Sequence, residues 1–436
     1  MRRLSLPVFC FSLLIAFAVS AGPPGGWGKL EYRTQEHDTV WVVTVSGTPY
    51  EMGYHYGRLL APQVAANLTH FMQVASNVMN PALLSVAARA LRPYVPARYL
   101  QMMRGLADAC ADYGHPEVDM TLLYRMMAVP DLSESGCSLF AASRPATNGH
   151  TYQMRNLDWY MTTGLQRYPV VAVFLPTDTL GTPQPQPHAT VGFAGVFGAI
   201  GGLNASGLAV SEIAGFFHDR EVLAGEPMLY LLWDVLWDAT TVAEAESLIL
   251  GAHRTNMYYY AVSDPGSQGP RTRLFFTGYD SAFSQPDGQP VHRSYLQADT
   301  AFYEPLAGAV YWKNHDGSGN RLLYNELSSR YGVLDDAGAI AIARAAGVPA
   351  TLVSVITDGT DRELYVSFAK GEHTPAHVRD YVYLDLKRYF EMQTTTVALE
   401  TGGESRRADA PGLAIAPNPF NDSAVLAYDL GNAPRG

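Results

Sequence analysis

The chain has 436 residues, 47% of them apolar, enough to bury a sizeable core in one large domain or two smaller ones. Its formal net charge of -11 argues against nucleic acid or an anionic membrane surface as a partner. Three cysteines are too few for a disulfide-stapled scaffold, and the 12 histidines include no HExxH and no Cys/His cluster of zinc spacing, so the sequence predicts neither a metal nor a cofactor.

Residues 1–21 open with Met1-Arg2-Arg3, continue through an apolar run and end in Ala18-Val19-Ser20-Ala21. That is the pattern of a secretory signal peptide, and the run is short for a membrane span, which needs about 20 apolar residues. The expected location is therefore secreted, periplasmic or extracellular. Loss of this segment, with its two arginines and no acid, takes the charge from -11 to -13 and removes Cys10. Cys110 and Cys137 remain, either bridged to each other or as separate thiols. Cys110 sits in a helical pattern, where a cysteine behaves as a small buried hydrophobe.

A strand is expected at 41–46, followed by a turn at 47–57 and helical periodicity to about 129, punctuated by Pro81, Pro93, Pro96 and Pro116. At Cys137 the texture changes, and 137–143 and 151–158 read as a hairpin. Further strands are expected at 170–175, 189–193, 208–213, 257–263, 272–277 and 310–313. The Gly-rich run 195–202 lacks the Lys-Ser/Thr of a phosphate loop and reads as close packing or a turn.

A helical region at 228–250 carries a capping-box pattern for its second part at Thr241 and Glu244. Helices at 322–331 and 336–346 precede a second hairpin at 352–357 and 363–369. Segregated runs of strands and helices predict an α+β fold built from antiparallel sheets in layers. Residues 394–412 read as a linker and 413–436 as the opening of an incomplete β-sandwich.

Amide cleavage near neutral pH needs a nucleophile, a base, and donors for the developing oxyanion. Cys137 follows Gly136 and opens a strand. If the Gly136–Cys137 bond is cut, one residue supplies both thiol and α-amine, whose pKa values near 8.5 and 7.7–8.0 let the amine take the thiol proton. Gly136 tolerates the strained backbone of an N-to-S acyl shift. A papain-like cysteine begins a helix instead, where the macrodipole favours its thiolate.

Successive blocks carry a resemblance: Gly47 to Gly57, Gly136-Cys137-Ser138-Leu139-Phe140-Ala141, Arg155-Asn156-Leu157-Asp158-Trp159, Gly202-Leu203-Asn204-Ala205-Ser206-Gly207-Leu208 and Lys313-Asn314-His315. In order and spacing they resemble the autoproteolytic penicillin acyltransferase family, the relatives of acyl-coenzyme A:6-aminopenicillanic acid acyltransferase, a branch of the N-terminal-nucleophile hydrolases. The resemblance spans roughly 41–390. It implies a four-layer αββα sandwich, a nucleophile-bearing region at 137–393, and a helical segment at 22–136 that stays bound as a subunit after cleavage.

It further implies Cys137 as nucleophile, Asp158 as the carboxylate near its α-amine, and Arg155 as the guanidinium that flanks the thiol and pairs with Asp158. Asn204 is implied on the oxyanion side, with Asn314 contacting substrate or oxyanion. Asp316-Gly317-Ser318-Gly319 departs from the family pattern and leaves the match of Arg321 open. The implied substrate is an N-acylated small molecule with a linear amide. Trp159, Tyr160, Phe197, Phe216 and Phe217 suit an apolar acyl pocket.

The tail, Ala416-Pro417-Asn418-Pro419-Phe420-Asn421, resembles the start of bacterial secretion-sorting or hook-capping immunoglobulin-like domains, which implies a bacterial protein and a secretion-machinery partner. Two alternatives stand beside this reading. One is a cysteine peptidase acting on peptide or cell-wall amides, and the other an inactive secreted binding protein of the same fold.

Overall fold

A computed structural model describes residues 25–133, 136–177, 185–215, 222–255, 257–266, 271–291, 302–313 and 317–394. The signal-peptide segment, the linker from 395, the β-sandwich tail, Phe216, Phe217 and Asn314 lie outside the described residues. Strands β1 (Trp27–Gln35) and β2 (Asp38–Gly47) lead into four helices, α1 (Pro49–Val78), α2 (Pro81–Leu91), α3 (Ala97–Asp112) and α4 (Met120–Ala128). The hairpin β3 (Gly136–Ala142) and β4 (Tyr152–Asp158) follows, then β5 (Pro169–Pro176), β6 (His188–Phe193), β7 (Gly201–Asn204) and β8 (Ala209–Ala214). Helices α5 (Met228–Asp238) and α6 (Val242–Gly251) precede β9 (Tyr258–Ser263), β10 (Thr272–Thr277), β11 (Ala282–Pro286) and β12 (Ala309–Lys313). Last come α7 (Gly317–Ser329), α8 (Asp336–Ala346), β13 (Thr351–Asp358), β14 (Glu363–Phe368), β15 (Val382–Asp385) and α9 (Leu386–Phe390).

The strands form two sheets, ordered β1-β2-β5-β6-β7-β8-β9-β10-β11 and β12-β3-β4-β13-β14-β15. Period-two alternation decides what each face meets. On the smaller sheet Phe140, Met154, Tyr311 and Ile356 point outward onto Leu323 and Leu327 of α7 and Ile342 of α8. The opposite parity faces the larger sheet, where Gln153 donates to Ser211 Oγ at 2.7 Å and to the Ala261 carbonyl at 3.0 Å. Helix α5 covers the far side of the larger sheet against β7 and β8. The layers are thus helix, sheet, sheet, helix, the α+β sandwich expected from the sequence.

Two local findings differ from expectation. The pair β2–β5 is parallel, because the chain between them runs through four helices and the β3–β4 hairpin, the long crossover that parallel neighbours need. The helical region 228–250 divides at Ala239 into α5 and α6, with Thr241 as the N-cap of its second part, but only half of the expected capping box forms. Thr241 Oγ1 accepts from the Glu244 N–H at 3.2 Å, but the Glu244 carboxylate turns to the N–H and hydroxyl of Thr240, both at 2.7 Å. A complete capping box instead starts α1, at Thr48 and Glu51.

The segment ahead of Cys137 is more than helical: β1 and β2 supply two strands of the larger sheet. Its longest helix, α1, packs on α3 through glycines. A Cβ on Gly53 would collide with the Met102 carbonyl, and one on Gly105 with the Tyr50 carbonyl. Cys110, on the same α3, is fully buried, and burial pushes its thiol pKa up to about 12. Among the described residues no helix is long and apolar enough to cross a membrane.

Because backbone cannot retreat as a flexible side chain does, Gly105→Ala is expected to cost about 1–3 kcal/mol. The urea midpoint should fall accordingly, with an unchanged slope; an unchanged midpoint would mean that α3 shifts without penalty.

Candidate active site

Cys137, the second residue of β3, shares the inner face of its sheet with Arg155, two positions before its register partner Leu157. The two meet between the sheets, with Arg155 Nη2 3.7 Å from Cys137 Sγ. The same guanidinium reaches across to β8, where Nε donates to the Glu212 carbonyl at 2.9 Å and Nη2 pairs with the Glu212 carboxylate. Cys137, Arg155 and Glu212 are 1%, 2% and 3% exposed. Cys137 and Cys110 are buried and not bridged to each other.

Burial sets the electrostatics. It pushes the Glu212 carboxyl up, against the pull of Arg155. On Arg155 burial acts downward, but Glu212 and the Cys137 thiol outweigh it and the guanidinium stays charged. A fixed positive charge beside a thiol favours the thiolate.

Asp158 lies apart from this pair. It stands opposite Gly136 in the β3–β4 register, and its Oδ1 accepts from Thr351 Oγ1 at 2.7 Å. Burial pushes its carboxyl up to about 6, against the opposing effects of Thr351, Lys313 and Arg155. The expected Arg155–Asp158 ion pair is therefore replaced by Arg155–Glu212. The reason is parity: residues three apart on a strand point to opposite faces, and only Arg155 looks toward β8.

Asn204 does not come to the thiol. Its amide nitrogen donates to the carbonyls of Leu236 at 3.1 Å and Ala239 at 2.7 Å, and its oxygen accepts from Ser206 and Leu208. Both amide hydrogens are spent on the end of α5, so none is left for an oxyanion in this state. The end of β7 that lies by Arg155 is Gly201, three residues or roughly 10 Å of strand away. Asn314 follows Lys313, whose register partner is Ser138. Arg321 stacks on the Phe302 ring, 4.1 Å from its centroid.

Two cavities flank the start of β3. The larger, of about 520 Å³, is bordered by Gly136, Asp158, Trp159, Tyr160, Glu372 and His373. The smaller, of about 60 Å³, is mostly apolar, with Leu157, Trp159, Val191, Phe193, Ile200 and Leu229 around Glu212. Trp159 borders both, and its Nε1, like Glu212 Oε2, is buried without a protein hydrogen-bond partner. Of the aromatics expected in an acyl pocket, Phe197 is instead core, packed on Tyr56 at 5.0 Å.

Glu212 was not among the residues singled out from the sequence. Its signal was there: one acid inside the apolar run Leu208-Ala209-Val210-Ser211-Glu212-Ile213, which only a buried partner makes tolerable.

No family model matches the chain. It is 25% identical to the protein dcd1B of Dictyostelium discoideum over 54% of this chain and 50% of that protein, so it spans about half the length of that relative. Protein dcd1A of the same organism is 21% identical over 84% of this chain and 89% of its own. Similar solved structures include an N-acylethanolamine-hydrolyzing acid amidase ortholog from Caenorhabditis elegans, at 19% identity and a TM-score of 0.39, covering 51% of this chain and 93% of that one. The penicillin V acylase from Agrobacterium tumefaciens is 11% identical with a TM-score of 0.35, covering 53% of this chain and 83% of that one. At these TM-scores the likeness is partial.

Removing one partner of a buried ion pair strands the other charge, so Glu212→Ala is expected to destabilise the chain by about 3–5 kcal/mol, more than Glu212→Gln, read from urea unfolding. Asp158 gives a pH signature. Its folded pKa of about 6 lies above the unfolded value of about 3.9, so its contribution is fully present below pH 4 and is lost as pH rises through 6. In the intact chain, stability relative to Asp158→Asn should fall by roughly 2 kcal/mol between pH 4 and pH 7. A flat difference across that range would show that the carboxyl is not raised.

Proposed function

We propose that this chain is a self-processing cysteine hydrolase of the N-terminal-nucleophile kind, which cuts its own Gly136–Cys137 bond and then cleaves linear amides of N-acylated small molecules. The observation that carries this is the position of Cys137. Its thiol lies beside a charged guanidinium at 3.7 Å, at 1% exposure in the uncut chain, one residue from a glycine that borders an open cavity. A thiol so buried meets no outside substrate, but its own Gly136 carbonyl is one residue away.

Processing begins when Cys137 Sγ attacks the Gly136 carbonyl carbon. The C–N bond breaks as the thioester forms, and the proton from sulfur ends on the new amine. Water then hydrolyses the thioester, leaving a carboxylate on Gly136 and a free thiol and α-amine on Cys137. Arg155 stabilises the thiolate in both stages, with Glu212 holding it in place. Asp158, opposite Gly136, stands where the new ammonium is released and orients it.

In turnover the α-amine takes the thiol proton, the thiolate attacks the substrate amide, and the departing amine carries that proton away. Water resolves the acyl-enzyme to a carboxylic acid; acyl transfer to another amine is the minor outcome. The cavity at Gly136 and Asp158, of about 520 Å³, has the volume for the substrate, and the apolar cavity beside Glu212, of about 60 Å³, takes no more than the end of a short acyl chain. Asn314 is assigned to the oxyanion, since Asn204 has its amide committed to α5. The cleaved N-terminal segment remains as a subunit, a reading supported by the two strands it contributes to the larger sheet. Export, and a sorting role for the C-terminal tail, belong to the same proposal.

Intact mass and N-terminal sequencing test it. Purified wild type is expected to contain a chain beginning at Cys137, and Cys137→Ala to remain whole and inactive on a panel of N-acyl amines, penicillins and conjugated bile acids. A wild type that stays uncut overturns the mechanism and favours a binding protein with this fold. A cut chain that hydrolyses only peptides favours the peptidase.

A further inference from the structure

The helices ahead of Cys137 carry a charge pattern that the chemistry at Cys137 does not use. In a chain of net charge -11, one cavity of about 420 Å³ is lined by four arginines and no acid. Arg89 and Arg92 come from the end of α2, Arg104 from α3 and Arg125 from α4. Helical spacing builds it: Ser85, Arg89 and Arg92 follow one stripe of α2, and Thr121 and Arg125 are one turn apart on α4. Buried Leu84, Ala87 and Leu91 hold α2 in the core and turn that stripe toward the cavity.

Among the described residues none of these guanidiniums forms an ion pair. Arg92 lies over the Tyr124 ring, 5.2 Å from its centroid, and the half-buried Arg125 has its Nε covered and without a hydrogen-bond partner among the described residues. Asp119, the acid next along the chain from the α4 wall, is turned to cap its own helix, accepting from the Leu122 N–H at 2.8 Å.

Four cations converge on one cavity with no acid paired to them among the described residues, a repulsion that solvent screens only in part. All are arginines, whose planar forks match the paired oxygens of a phosphate group. The ring contact of Arg92 limits its freedom and lowers the ordering cost of binding an anion. The cavity exceeds a bare phosphate, and Ala88 and Met120 add an apolar wall for the rest of a ligand.

We propose that the cavity between α2, α3 and α4 is a binding site for a phosphate-bearing ligand, gripped by Arg89, Arg92, Arg104 and Arg125. The proposal is independent of the reaction assigned to Cys137. The phosphate comes from a soluble molecule or from a lipid headgroup, and the two sources separate by experiment.

Calorimetric titration of the full chain with inorganic phosphate, at ionic strength matched with sodium chloride, is the first arm. The second is co-sedimentation with phosphatidic acid vesicles against phosphatidylcholine vesicles. Arg92→Gln/Arg125→Gln is the main variant, Arg104→Gln a second at one of the three exposed arginines Arg89, Arg92 and Arg104, and Arg388→Gln the control away from the cavity. Saturable phosphate binding that weakens about tenfold or more in each cavity variant, and not in the control, supports a soluble ligand. Binding only to phosphatidic acid vesicles, lost in the same variants, supports the lipid source. No binding in either arm, or binding that the cavity variants leave unchanged while their urea midpoints match wild type, overturns the site.

Discussion

The contact on which the rest of the site depends is the ion pair between Arg155 and Glu212. It joins the smaller sheet to the larger one across their inner faces, between side chains that are 2% and 3% exposed. A buried pair of this kind is weak evidence for stability, because the desolvation of two charges offsets most of their attraction. Its consequence is geometric. The guanidinium cannot leave Glu212 without stranding a charge, so it is fixed where it meets the Cys137 thiol. A second polar contact one inner-face position away keeps the same alignment: Gln153 bonds Ser211 and the Ala261 carbonyl, and its oxygen accepts from Ser263 Oγ at 2.8 Å. Together they form a polar seam that sets how β4 lies over β8 and β9.

The seam also explains why two buried carboxyls, Glu212 and Asp158, have different characters. Glu212, on the inner face, keeps a cationic partner. Asp158, on the opposite parity of β4 at the strand end, accepts from the Thr351 hydroxyl, and burial pushes it up to about 6 against the opposing effects of Thr351, Lys313 and Arg155. A group of that pKa changes charge with a modest change in its surroundings. In the proposed cleavage the new ammonium on Cys137, one residue from the register partner of Asp158, is such a change, and its charge would draw the carboxyl back toward its ionised form.

Much of this was legible in the sequence, for a physical reason. Strands with alternating or continuous apolar residues, the hairpin opening at Cys137, the helices α7 and α8 and the layered α+β architecture follow from local patterning. Cys137, Arg155 and Asp158 stood out because they cluster on one hairpin. What was hidden depends on pairing between distant segments. Glu212 gains its role only when β8 crosses β4, 57 residues along the chain from Arg155. Asn204 carried the right residue type in a turn-like context, but its hydrogen bonds are decided by where α5 ends. The short strands β7 and β15, of four residues each, are too brief for a periodic signal. The parallel pairing of β2 with β5 is a matter of topology rather than composition.

The same topology bears on what a cut before Cys137 does to the molecule. Severing a bond inside a sheet normally frees a strand, but here the bond lies at the first residue of β3, where the ladder begins. In the proposed processing the upstream piece would stay attached through β2, which is hydrogen-bonded to β5 along seven register pairs, and through α1, whose buried face spans from Pro49 to Ala75. Dissociation would expose both surfaces at once, whereas moving the few residues around Gly136 would expose almost none. The proposed cut would therefore leave its rearrangement local, beside the cavity at Asp158 and Trp159. A fold in which the N-terminal segment formed a separate helical domain would lose that economy, because nothing would hold the released end near the site it uncovers.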